Sequence, residues 1–79
     1  MIPKNHNELV WHLVSDDLPK VGEYVLLSFS NFTLPCVGRY DGNEDEGFAF
    51  YWGDDEESLV SYGLFVNAWM PLPEKVEEI

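Results

Sequence analysis

Between Glu23 and Ser30 the chain reads EYVLLSFS. Successive strand residues point to opposite faces, so Val25, Leu27 and Phe29 share one side. Tyr24, Leu26, Ser28 and Ser30 share the other. This period of two marks a half-buried β-strand. Four further segments read the same way. LVWHLV (Leu9 to Val14) sets Trp11 and Leu13 against Val10, His12 and Val14. TLPCVGRYD runs from Thr33 to Asp41, FAFYW from Phe48 to Trp52, and LFVNAWM from Leu64 to Met70. Phe48, Phe50 and Trp52 share a face. Pro35 donates no ladder hydrogen bond, so it belongs at an edge or bulge.

Turn residues separate these runs. SDDLPKVGE and GNEDEG cluster Asp, Asn, Pro and Gly, and the second reads as a hairpin loop. GDDEESLVSYG admits two readings. One is an acidic loop. The other is a short helix capped by Asp54, with Glu57 as its capping-box partner and Gly63 as its stop. The prolines of PLPEKVEEI take the chain out of the sheet. The expected fold is therefore α+β or mostly β. It is a small antiparallel sheet of about five strands, free to curl, with at most one short helix. Residues 1–79 form one domain, with 1–8 and 74–79 as loose ends.

The net charge is -11, from 15 acids and 4 bases. Binding phosphates takes Lys and Arg that displace counterions, so direct nucleic-acid and anionic-membrane ligands are disfavoured. Basic protein surfaces are favoured. Cys36 is the single cysteine, which rules out a disulfide within the chain and fits a reducing cytoplasm. Its apolar neighbours make it a buried thiol rather than a reactive one. The opening MIPKNHNELVWHLV lacks the apolar stretch of a signal peptide, and no run is long enough to span a membrane.

Catalytic signatures are missing. No G-x-S-x-G occurs, and His6 and His12 both precede Cys36 in no protease-like order. His12 reads as a satisfied histidine rather than a base. One cysteine cannot build a zinc pair. Asp41, Asn43 and Asp45 imitate the start of a calcium loop, but Glu46 and Trp52 stand where Gly and Glu are required. No cofactor or metal is expected, and the chain reads as non-enzymatic. A carboxylate- or metal-dependent enzyme is the weakest alternative.

Charge placement is the strongest anomaly. Asp41, Glu44, Asp45 and Glu46 precede FAFYW, and Asp54, Asp55, Glu56 and Glu57 follow it. A hairpin would set these groups at opposite ends of a strand about 17 Å long. Duplex DNA carries one charge per about 1.7 Å of axis, so the two groups could imitate a short phosphate track. Acidic loops that only solubilise the chain and discourage edge pairing are the plainer reading. As a site, the eight acids would bind a partner with a basic surface, such as a nucleic-acid-binding protein.

Two segments also carry a family resemblance. WHLVSDDLPKVGEYVLL contributes Trp11, Val14, Ser15, Leu18, Pro19 and Gly22, and AWMPLP contributes Trp69, Met70, Pro71, Leu72 and Pro73. Together they resemble the domain of unknown function 551 family, small proteins of phages, prophages and their bacterial hosts. Ala68 stands where that family often has His, and His12-Leu13 where it commonly has Ile-Pro. The resemblance implies a compact domain of phage-related origin in the host cytoplasm and assigns no activity. Taken with the charge, it suggests an inhibitor of host defence or of host nucleic-acid machinery. The alternative is an accessory or structural phage protein that self-associates. Structurally, Trp11 and Trp69 are expected to pair across neighbouring strands, with Pro71 and Pro73 packing an extended segment on an indole.

Overall fold

The computed structural model describes residues 9–73. The expectation of loose ends lies outside the described residues. Five strands form one antiparallel sheet in the order β1-β5-β2-β3-β4. They are β1 (His12–Leu13), β2 (Tyr24–Phe29), β3 (Cys36–Asn43), β4 (Gly47–Trp52) and β5 (Val66–Pro71). A single 3₁₀ turn, Leu59–Tyr62, is the helical element among the described residues. The protein is thus mostly β with a small, open sheet.

The alternation of β2 sets the core. Val25, Leu27 and Phe29 are buried, while Tyr24, Leu26 and Ser28 are exposed or half-buried. Leu27 pairs with Trp69 of β5 on one side and Cys36 of β3 on the other. Trp69 in turn faces His12 of β1. Residues directly opposite in an antiparallel pair project to the same face. These pairings therefore line up His12, Trp69, Leu27 and Cys36 across four strands. The 3₁₀ turn lays Leu59 over them, and Val14, Phe50, Leu64 and Val66 close the rim. Cys36 is half-buried against this core, and its burial holds the thiol pKa above the usual value.

Gly38 shows how tightly the strands sit. It is buried on β3, and a Cβ there would collide with the Leu27 side chain and the Tyr51 carbonyl. Gly63 ends the 3₁₀ turn in a left-handed conformation at φ 77°, and its amide returns to carbonyls of that turn. It acts as the expected stop. The turn begins at Ser58, however, with no side-chain cap bond. Asp54 and Glu57 do not form the capping box. The Asp55 carboxylate instead accepts the Glu57 amide at 3.0 Å, which gives a turn rather than a helix start.

Several boundaries differ from the sequence pattern. β1 shrinks to His12–Leu13, because the Leu13 carbonyl accepts the amides of Asp16 and Asp17, both at 3.0 Å, and turns the chain. β3 begins after Pro35, which cannot donate, and runs on to Asn43. Pro71 stays inside the sheet, opposite Val25. β1 pairs only as far as Trp69, so Pro71 has no β1 residue opposite it.

Trp11 and Trp69 do not pair. Trp11 is 46% exposed, whereas Trp69 is 2% exposed with His12 stacked on it, ring centroids 4.5 Å apart. The cause is parity: His12 is the residue opposite Trp69, so Trp11 points to the other side. Pro71 is buried as the last residue of β5, and Pro73 beyond it is exposed.

Trp69→Ala should therefore lower stability by about 3–5 kcal/mol, enough to unfold a domain this size. Trp11→Ala should cost under about 1 kcal/mol. Gly38→Ala should cost about 1–3 kcal/mol through overpacking. Urea melts followed by circular dichroism check all three; equal losses at the two tryptophans would refute this core.

Candidate functional site

The hairpin β3–β4 pairs Asn43 with Gly47, leaving Glu44, Asp45 and Glu46 as its exposed tip. Asn43 Oδ1 accepts the Glu46 amide at 2.8 Å and fixes the turn. β4 then carries the chain about 20 Å at 3.3–3.4 Å per residue. At its far end come Asp54, Asp55, Glu56 and Glu57. Glu44–Glu46 and Asp54–Glu57 thus sit at opposite ends of β4, whereas Asp41 lies along the hairpin on β3, opposite Ala49.

The eight acids divide into two kinds. Asp41, Asp54 and Asp55 are bound into the fold. Asp41 accepts the Gly42 amide at 2.8 Å and Arg39 Nε at 3.1 Å. Asp54 accepts the Tyr24 hydroxyl. Asp55 accepts the Tyr62 hydroxyl at 2.7 Å besides the Glu57 amide. By contrast, Glu44, Asp45, Glu46, Glu56 and Glu57 are exposed. Glu44, Asp45, Glu56 and Glu57 accept no side-chain hydrogen bond among the described residues.

Sequence reasoning missed two features. The first centres on Arg39. Its guanidinium lies over the Tyr51 ring, 4.7 Å from the centroid, and it donates to Asp41 and to the Gly53 carbonyl. Tyr24 and Tyr51 both pair with Arg39 in the sheet. One cation so ties β2, β3, β4 and the loop after it together, on the face away from Trp69. The alternation of GRYD and AFYW held this signal, since Arg39 and Tyr51 fall opposite in a hairpin closed by the Asn43–Gly47 pair.

The second is an apolar groove of about 280 Å³ between β4 and the segment that follows it. Phe48 and Phe50 form one wall, and Val60, Leu64 and Phe65 the other, over Leu59. Phe48, Val60 and Phe65 are about half exposed or more. Tyr40 braces the first wall, its ring 5.6 Å from Phe48 and 4.9 Å from Phe50. The shared face of Phe48 and Phe50 was readable; that the face stays open was not.

Among the described residues, no three His, Cys, Asp or Glu side chains gather as they would around a metal ion. No helix among them is long and apolar enough to cross a membrane. His12 is buried against Trp69, with Nδ1 4.0 Å from Asp17 Oδ2. That placement makes it part of the core.

The Asp55–Tyr62 bond sets two opposite pH responses. The Glu57 amide and the Tyr62 hydroxyl hold the Asp55 carboxyl below its ordinary 3.8. A depressed acid contributes stability above 3.8 that is lost as pH falls through the folded value. The bond to Asp55 raises the Tyr62 hydroxyl above 10.0. That contribution is complete below 10.0 and is lost as pH rises through the folded value. Tyr62→Phe should therefore move the Asp55 carboxyl back toward 3.8 in an NMR titration and soften the alkaline loss of stability. An unchanged Asp55 titration would mean the hydroxyl does not act on it in solution.

The chain matches no family model, no curated protein and no solved structure.

Proposed function

We propose that this is a small non-enzymatic interaction protein that binds a basic protein surface through the acidic loops at the two ends of β4. One observation carries the reading. Glu44, Asp45, Glu46, Glu56 and Glu57 are exposed on either side of a strand about 20 Å long, while Arg39 is engaged internally with Asp41 and the Gly53 carbonyl. Uncompensated carboxylates concentrated this way steer cationic partners and speed their association.

The likeness of the Trp11–Gly22 and Trp69–Pro73 segments to a phage-type family supports a setting in the cytoplasm of a bacterial host. In that setting the partner is a nucleic-acid-binding protein of the host, and the action is inhibition of defence or of nucleic-acid machinery. Mimicry of nucleic acid would be partial. A duplex carries about twelve charges over 20 Å, more than these loops supply.

Neutralising the loops tests the reading directly. Glu44, Glu46, Glu56 and Glu57→Gln with Asp45→Asn should abolish binding of an oligolysine probe at low salt. Glu8, Glu23, Glu74 and Glu77→Gln with Asp16→Asn removes equal charge elsewhere and should leave most binding intact. Both sets spare Asp41, Asp54 and Asp55, so the melting curve should hold. Equal loss from both sets would show bulk charge acting without a site, and no loss from either would reject the acidic loops altogether.

A further inference from the structure

The groove between β4 and the 3₁₀ segment joins the two acidic loops. Phe48 stands two residues after Glu46, and Leu59, beneath the groove, stands two residues after Glu57. Two residues span about 7 Å of extended chain. Both acidic loops therefore lie within about one Debye length of the apolar walls at physiological salt. Ser58 bridges to Tyr51 and pins the second loop beside β4.

Volume and charge together select the occupant. About 280 Å³ is small even for a pocket that takes a drug-sized molecule, for which roughly 300–1,000 Å³ is usual. It suits one or two large side chains. A second copy of this chain would bring another -11 against the same loops, so self-association here is opposed by its own charge. A cationic segment is drawn to both ends at once.

We infer that the groove receives a peptide segment of the partner in which large apolar side chains are flanked on both sides by Lys or Arg. The apolar residues fill the space between Phe48, Phe50, Val60 and Phe65. The flanking cations meet Glu44, Asp45 and Glu46 at one end and Glu56 and Glu57 at the other. This rests on the basic-partner reading above and adds to it an apolar anchor, the part of an interface that fixes register and slows release.

Three synthetic peptides separate the two ideas: KKLFSLFKK, the charge-only KKSSSSSKK and the apolar-only SSLFSLFSS. Titrated into labelled protein, the first should shift the amides of Phe48, Phe50, Val60 and Phe65 saturably. It should bind at least about tenfold more tightly than either companion. Val60→Ser with Phe65→Ser, both at exposed positions, should weaken KKLFSLFKK about tenfold and leave KKSSSSSKK unchanged. Unaltered amide dispersion elsewhere certifies the fold of that variant. Equal affinity for KKLFSLFKK and KKSSSSSKK would overturn the groove and leave the acidic reading standing. Equal affinity for KKLFSLFKK and SSLFSLFSS would reject the acidic reading. Failure of KKLFSLFKK to bind, or dimerisation in its place, would reject the groove as its receptor.

Discussion

The sheet depends on where one indole sits. β5 lies between β1 and β2, and Trp69 near its middle faces both neighbours. Its ring packs beside Leu27, carries His12 on its face, and donates Nε1–H to the Asp17 carbonyl at 3.0 Å. Burying so large a ring removes some 150–250 Å² from water, and a buried indole N–H needs an acceptor. The turn after β1 supplies one. It adds to the two residue pairs and the Val14 N–H bond to the Asn67 carbonyl that join β1 to β5 at the edge of the sheet. The Trp11–Gly22 and Trp69–Pro73 segments meet here, and several of their residues are structural. Val14 packs on the core, while Pro19, Trp69 and Pro71 are buried.

A chain this acidic must keep its charges from destabilising a thin sheet. It does so by position. The core face carries His12, Leu27, Trp69 and their neighbours, and the densest acids fall at strand ends, where solvent screens them. The exception proves instructive on the opposite face. Asp41 lies in mid-hairpin, and there Arg39 and the Gly42 amide offset it. The separation of apolar strand from acidic loop is also what leaves a groove with charged ends.

Strand content was legible because alternation in β2 and in Phe48–Trp52 survives any detail of pairing. The stop at Gly63 was legible for a local reason, since a left-handed backbone favours glycine. Pairing parity was not. Nothing in LVWHLV says whether Trp11 or His12 faces Trp69, because a shift of one residue exchanges the faces. The acidic loops were visible in composition, but their division was not. Asp54 is bound because Tyr24 arrives from a distant strand, while Asp55 is held by the Glu57 amide and by Tyr62 of the 3₁₀ turn. The groove was hidden for the same reason: it needs residues from β4 and from the segment after it, brought together by the fold.

The strand order has a consequence for how the chain folds as it is made. β2, β3 and β4 are linked by short connections and can pair as they emerge. β1 must wait for β5, since the contact from Asp17, in the turn that follows β1, to Trp69 spans 52 positions. Closing a loop that long costs about 3.5 kcal/mol in chain entropy beyond a constant term. The hydrophobic face of β2 thus stays open on one side until the last strand arrives. The three-strand meander is the earliest part that can form, and the arrival of Trp69 is the event that turns it into a closed, cooperative core.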